Sequence, residues 1–271
     1  MVAEEDTFVG EGTSAAEFST ASEDEHGFQV YTVRSPRQAG ATDVRVLIPD
    51  ALRPDEEPAV LYVLPVEAGR QTRYGDGLIE IQNHDLHNRF RIICVAPSFT
   101  HLPWYADHPT DPTIQQEAYL LRDVIGLVER TYPVRCGSEG RLLLGFSKSG
   151  WGAFSLALRH PTSFAAAAAW DTPIMMDRPR HGSAPIFGGQ NNFACYRLTS
   201  LLAQAGRAGG PLPHLVLTGR GNFHEQHLAA HRWMNEHGVT HHHHIGSIRK
   251  HDWHSGWLAP TLELMLEATR Q

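Results

Sequence analysis

Cysteine is scarce in this chain of 271 residues: Cys94, Cys136 and Cys195 are scattered and odd in number. Such a set makes no disulfide framework and points to reduced thiols in a cytoplasmic setting. Cys94 lies in an apolar run and reads as a buried structural thiol. No apolar run approaches the roughly 20 residues needed to cross a bilayer, so no membrane span is expected. The opening Met-Val-Ala-Glu-Glu-Asp lacks the basic start and apolar stretch of a secretory signal, which also favours a cytoplasmic location. No basic run alternates with aromatic residues, which argues against a nucleic-acid surface. A phosphate loop is excluded as well, because Gly140-x4-Gly145 continues as Phe146-Ser147 and not as Lys-Ser/Thr.

What is present is enough apolar material, 41% of residues, for a sizeable core. The net charge of -7 is unevenly spread. Eight of the 30 acidic residues lie in 1–26, which hold no Lys or Arg, leaving 22 acids against 23 bases beyond. A Ser/Thr/Glu/Ala-rich segment of this kind buries too little apolar surface to offset its ordering entropy. Residues 1–26 are therefore expected to be a mobile acidic leader, and 27–271 one catalytic domain.

From residue 28 onward, strand-like and helix-like segments alternate. Residues 28–35 and 43–49 alternate side chains as two neighbouring strands. Residues 59–66 and 91–99 are near-continuous apolar runs, the mark of strands covered on both faces. Residues 76–90 can form a helix, and 113–132 carry Ile114, Ala118, Leu121, Ile125 and Val128 at helical spacing. Further strands are expected at 141–146, 164–170, 215–218 and 241–248, with helices at 148–160, 223–236 and 255–270. The alanine run at 164–170 has helical propensity, but its shortness and the following Asp-Thr-Pro favour a strand. The alternation implies an α/β fold with a mainly parallel sheet of about eight strands, helices on both faces and no large lid.

At 142–152 the sequence reads LLLGFSKSGWG: an apolar run ends on Gly-x-Ser and a slim helical segment begins at once. A serine on such a strand-to-helix turn matches the nucleophile elbow G-x-S-x-G, with Ser149 in place of the last glycine. Groups beyond the carboxyl ends of parallel strands converge on one edge. That rule gathers Ser147, Asp171, the loop 220–225 and the segment 250–254. The chain order Ser, acid, His is filled by Ser147, then Asp171 or Glu225, then His251.

With these residues in view, the chain from about Phe28 to its end resembles the esterase branch of the α/β-hydrolases, which holds esterase D, feruloyl esterases and mycolyltransferases. The resemblance rests on residues 145–154, on Trp170-Asp171, and on His251-Asp252-Trp253 with Trp257 beyond. It implies Ser147 as nucleophile and His251 as base. It also implies an oxyanion hole from the backbone N–H groups of Lys148 and of the loop around Val66-Glu67. The family's usual acid position holds Asn222. Asp171, at a rigid strand end, is favoured over Glu225, and Asn222 stays open as an orienting amide.

His254 competes with His251 but suits a helix start. His224, His227 and His231 share one helix face at ligand-like spacing. His-Glu-Gln-His is not the zinc motif, however, and no metal or other cofactor is expected. Trp104 and Tyr105, in a Pro-rich loop, together with Trp151, are the expected pocket walls. The reading is a serine-dependent hydrolase of small-molecule carboxylic esters. The alternatives are a non-catalytic binding protein or an acyltransferase on the same fold.

Overall fold

The computed structural model describes residues 15–270. Its sheet comprises ten strands: β1 (Glu17–Phe18), β2 (Ser22–Glu23), β3 (Gln29–Arg34), β4 (Thr42–Leu47), β5 (Val60–Val63), β6 (Ile93–Pro97), β7 (Arg141–Phe146), β8 (Ala166–Trp170), β9 (His214–Arg220) and β10 (His242–Ile248). They lie in the order β1-β3-β4-β6-β5-β7-β8-β9-β10, with β2 also paired to β3. The pairs from β6 through β10 are parallel, and β1 to β4 add an antiparallel edge.

The expected sheet of about eight strands gains β1 and β2, two residues each and too short to leave a periodic trace. Residues 1–14 of the acidic leader lie outside the described residues. The expectation of a mobile leader does not hold for 15–26, which pair with β3 and bury Ala16. Two backbone ladders and one apolar contact supply what composition alone does not reveal.

Side-chain alternation along the strands divides the core into two layers. Val60 and Tyr62 of β5 face one layer, Leu61 and Val63 the other. On β8, Ala167 and Ala169 face the first and Ala166 and Ala168 the second. Helix α5 (Ser147–Arg159) packs in the first layer, and α10 (Leu258–Ala268) in the second. The small side chains of β8 let helices come close: a Cβ on Gly150 of α5 would sit 3.2 Å from the Ala169 Cβ.

Between β5 and β6, the expected single helix is broken into α1 (Gly77–Asn83) and α2 (Leu86–Phe90) by Asp85 in the left-handed conformation. The helix expected over 113–132 runs as α3 (Gln116–Ala118), a π-helical stretch Tyr119–Val124 and α4 (Ile125–Thr131). Between β8 and β9 come α6 (Ala184–Phe187), α7 (Gln190–Tyr196) and α8 (Leu198–Ala208), and α9 (His224–Glu236) lies between β9 and β10. No helix among the described residues is long and apolar enough to cross a membrane.

Strands β6 and β7 flank β5 on opposite sides, so successive connections leave β5 in opposite directions. That is the topological switch point, where the carboxyl ends of neighbouring strands open a crevice. The loop after β5 and the turn after β7 border it, and these carry Val66-Glu67 and Ser147.

Candidate active site

Ser147 follows β7 directly and has φ +53°, a left-handed conformation that costs a non-glycine residue roughly 1–3 kcal/mol unless its surroundings enforce it. Two glycines make the turn possible. A Cβ on Gly145 would lie 2.4 Å from the Ser149 carbonyl carbon, and one on Gly150 would lie 2.1 Å from Thr172 Oγ1. Ser149 is fully buried; its hydroxyl donates to the Phe146 carbonyl at 2.9 Å and accepts the Phe146 N–H at 3.1 Å. The serine in place of the motif's last glycine thus braces the turn from inside.

Asp171 follows β8, also at positive φ (+41°), and is 1% exposed. Its Oδ2 lies 2.6 Å from His251 Nδ1. The Asn222 N–H donates to Oδ2 at 2.8 Å and the Phe223 N–H to Oδ1 at 2.7 Å. Burial pushes the carboxyl pKa up, but hydrogen bonds from His251, Phe223 and Asn222 outweigh it and hold the group below the usual carboxylate value. An ionised carboxylate only accepts, so Nδ1 of His251 carries the proton and Nε2 is left as acceptor. The ring is set edge-on against Phe146, Tyr74 and Phe223, with centroids 5.0 to 5.8 Å away.

The segment holding His251 is tied down at several points. Trp253 N–H donates to the Tyr74 carbonyl at 2.8 Å, and Trp257 Nε1 donates to the Asp252 carbonyl at 2.9 Å. His254 is committed elsewhere: Nδ1 meets Glu80 Oε2 at 2.8 Å and Nε2 accepts the Asp76 N–H at 3.1 Å. Glu225 is exposed on α9 and makes no bond to His251 among the described residues. Asn222 meets Asp171 through its backbone, not its side-chain amide. A Cβ on Gly221 would fall 2.3 Å from Asp171 Oδ2, so this loop owes its closeness to the carboxylate to a glycine.

Beside Ser147 lies the loop after β5. Lys148 is the second residue of α5, whose first N–H groups have no partner within the helix. Its Nζ donates to the Val66 carbonyl at 2.7 Å. The Glu67 carboxylate turns away and accepts the Arg73 N–H at 2.8 Å.

The three aromatics expected as pocket walls are placed differently. Trp104, Tyr105 and Trp151 are each fully buried. Trp104 packs on Trp151, and Trp151 on Phe187 and Phe193. Tyr105 lies against Gly152 and donates its hydroxyl to the Pro65 carbonyl at 2.6 Å. Rings of this size contribute more to the core than to a solvated rim. They support the site from below and present no surface to a ligand. Phe223 of the expected loop 220–225 lies nearby, and so do Tyr74 and His181, which sequence reasoning missed. His181, at φ +53°, has its pKa lowered by burial and then by the charges of Arg180, Lys148 and His251. Neither Tyr74 nor His181 belongs to a motif, and only the fold brings them near.

The histidines of α9 are occupied separately. His227 accepts the Thr172 N–H at 2.7 Å, and His231 meets His241 at 2.8 Å. Among the described residues, no group of three or more His, Cys, Asp or Glu is arranged to hold a metal ion. A cleft of about 850 Å³ borders the amino-terminal ends of the strands near Ala59, Leu142 and His214, on the opposite edge from Ser147.

The switch-point sheet and the serine at a strained strand-to-helix turn are those of the α/β-hydrolase fold. Residues 92–209 match the family described as "Putative esterase". Solved structures share the fold at low identity. The Staphylococcus aureus fluorophosphonate-binding serine hydrolase F, substrate bound, superposes with a TM-score of 0.71 at 15% identity, over 93% of this chain and 100% of its own. A ferulic acid esterase gives 0.69 at 17%, over 93% and 98%. An S-formylglutathione hydrolase from Agrobacterium tumefaciens gives 0.65 at 14%, over 97% of each. A search of curated protein sequences finds no match.

Proposed function

We propose that this chain hydrolyses small-molecule carboxylic esters by covalent catalysis at Ser147. The observation that carries the reading is the 2.6 Å contact of His251 Nδ1 with the buried Asp171 carboxylate, at the sheet edge that also bears the strained serine. The Ser147 hydroxyl attacks the ester carbonyl carbon while His251 Nε2 takes its proton. The carbonyl oxygen becomes an oxyanion, received by the backbone N–H groups of Glu67 and Lys148. Collapse expels the alcohol, which leaves with the proton from His251. Water, activated by the same imidazole, then attacks the acyl-serine and releases the acid. Asp171 fixes the ring and stabilises the imidazolium formed at each step.

The solved relatives named as a serine hydrolase and a ferulic acid esterase support the same chemistry. Residues 27–271 act as one catalytic domain. The free thiols Cys94, Cys136 and Cys195 favour a cytoplasmic setting. The test is turnover of a chromogenic short-chain ester by the wild type, Ser147→Ala and His251→Ala. Both variants should lose nearly all activity; undiminished hydrolysis by Ser147→Ala would overturn the assignment.

A further inference from the structure

The chain is nearly without lysine: its 23 basic residues include only Lys148 and Lys250, and one of these directly follows the proposed nucleophile. A long cation at this position is not needed for its backbone N–H, which any residue supplies. The Lys148 side chain does not extend freely into solvent. Its amine donates to the Val66 carbonyl at 2.7 Å and lies 5.9 Å above the Tyr74 ring centroid.

The carbonyl it holds belongs to the peptide unit joining Val66 to Glu67. A trans peptide is planar, with C=O and N–H pointing in opposite directions, so fixing the Val66 oxygen fixes the direction of the Glu67 N–H. A cation on the oxygen also polarises the amide and makes its N–H a stronger donor, since hydrogen bonds in series reinforce one another. The preceding carbonyl, Pro65, is held at 2.6 Å by Tyr105 from the core side. Two successive carbonyls of this loop are thus clamped from different directions.

We infer that the Lys148 side chain is a positioning residue that orients and polarises the Val66–Glu67 peptide as an oxyanion donor. The inference rests on the esterase reading above. One residue then serves both halves of the hole, through its own N–H and through its amine on the other half's carbonyl. Burial lowers the Lys148 pKa, opposed by the Glu67 carboxylate and aided by Arg73. A partly desolvated amine bonds its acceptor more strongly than one in water.

The test compares Lys148→Met, which keeps length and loses the donor, with Lys148→Arg, which keeps a cation. The readouts are kcat and KM on a chromogenic short-chain ester, and inhibition by a trifluoromethyl ketone with the same acyl group, whose serine adduct carries the oxyanion. Lys148→Met should lower kcat about 10- to 100-fold, somewhat less than the loss of a whole donor, with KM within about twofold. Ketone inhibition should weaken by a similar factor, and Lys148→Arg should recover most of both. A raised KM at unchanged kcat would make Lys148 a substrate contact and overturn the inference. So would a kcat loss with ketone inhibition unchanged, or equal losses in Met and Arg. Far-ultraviolet circular dichroism checks folding, and Lys148→Leu replaces the Met variant if that one unfolds. Fluorophosphonate labelling of wild type and Ser147→Ala separates the two levels. A wild type that neither turns over ester nor is labelled on Ser147 sinks the esterase reading and this inference together. A labelled, active wild type matched in kcat by Lys148→Met sinks the inference alone.

Discussion

Asp171 holds His251 Nδ1 at 2.6 Å while the backbone N–H groups of Asn222 and Phe223 grip its two carboxylate oxygens from the loop after β9. Three elements therefore fix one carboxylate: the end of β8, the turn after β9 and the segment before α10. Asp171 lies one strand before Asn222, the position at which the resemblance puts the acid, and Asn222 meets it through its backbone N–H.

Asp171→Asn should cut kcat about 10⁴-fold, the loss expected when an imidazole is held in the wrong tautomer. Glu225→Gln should leave kcat within about twofold, because Glu225 makes no bond to the imidazole. Steady-state kinetics on one ester, with both variants side by side, decides between the two carboxylates.

Gly221→Ala isolates the loop's part in this arrangement. The new Cβ would meet Asp171 Oδ2 at 2.3 Å, and that oxygen cannot yield easily because His251 and Asn222 both bond it. A displacement near 1 Å in a catalytic group costs about 10²-fold in rate. The expected result is a kcat loss of that order with Asp171 still present; an unchanged kcat would show that the loop gives way freely.

Much of this site was legible along the chain, and what was not has a common cause. Ser147 stood out because an apolar run stops on Gly-x-Ser, a local signal. His251 stood out by chain order. The choice between Asp171 and Glu225 depended on which loop reaches across β9, and no local pattern records that. Trp104, Tyr105 and Trp151 were read as pocket walls because their loop and helix sit at the right edge of the sheet. The two indoles are instead buried, with no hydrogen-bond partner for Nε1 among the described residues, and pack against Phe187, Trp151 also against Phe193. No helix was expected within 184–208, where α6, α7 and α8 form and Phe187 and Phe193 pack together in the core.

His254→Gln tests the histidine three residues beyond His251. Its ring joins Glu80 to the Asp76 N–H, and Asp76 in turn is paired with Arg45 at 2.7 Å. The ring itself is exposed while Glu80 and Asp76 are buried, so losing part of this link should cost about 0.5–1.5 kcal/mol of stability. Because the ring is bonded to Glu80 and the Asp76 N–H and not to Asp171, kcat should stay within about tenfold, whereas on the proposed mechanism His251→Gln should abolish turnover. Urea melts and kinetics on both variants separate the two roles.

His227 sets a pH dependence that concerns stability and not turnover. It is fully buried on α9, accepts the Thr172 N–H at 2.7 Å, and its pKa is lowered to about 4, chiefly by burial. The unfolded chain, with histidine near 6.5, binds this proton at a higher pH than the folded chain does. Stability therefore rises with pH between about 4 and 6.5, and it is lost progressively as the solution is acidified through that window. For His227 alone the difference amounts to about 3 kcal/mol at the acid end. His243, also lowered to about 4 by burial and neighbouring histidines, adds slope of the same sign. His227→Gln keeps an acceptor for Thr172 but does not titrate, so the slope of unfolding free energy against pH should fall by up to one proton. Urea melts from pH 4.5 to 7.5 measure it directly. A slope unchanged by His227→Gln would mean that the ring is protonated equally in the folded and unfolded chains.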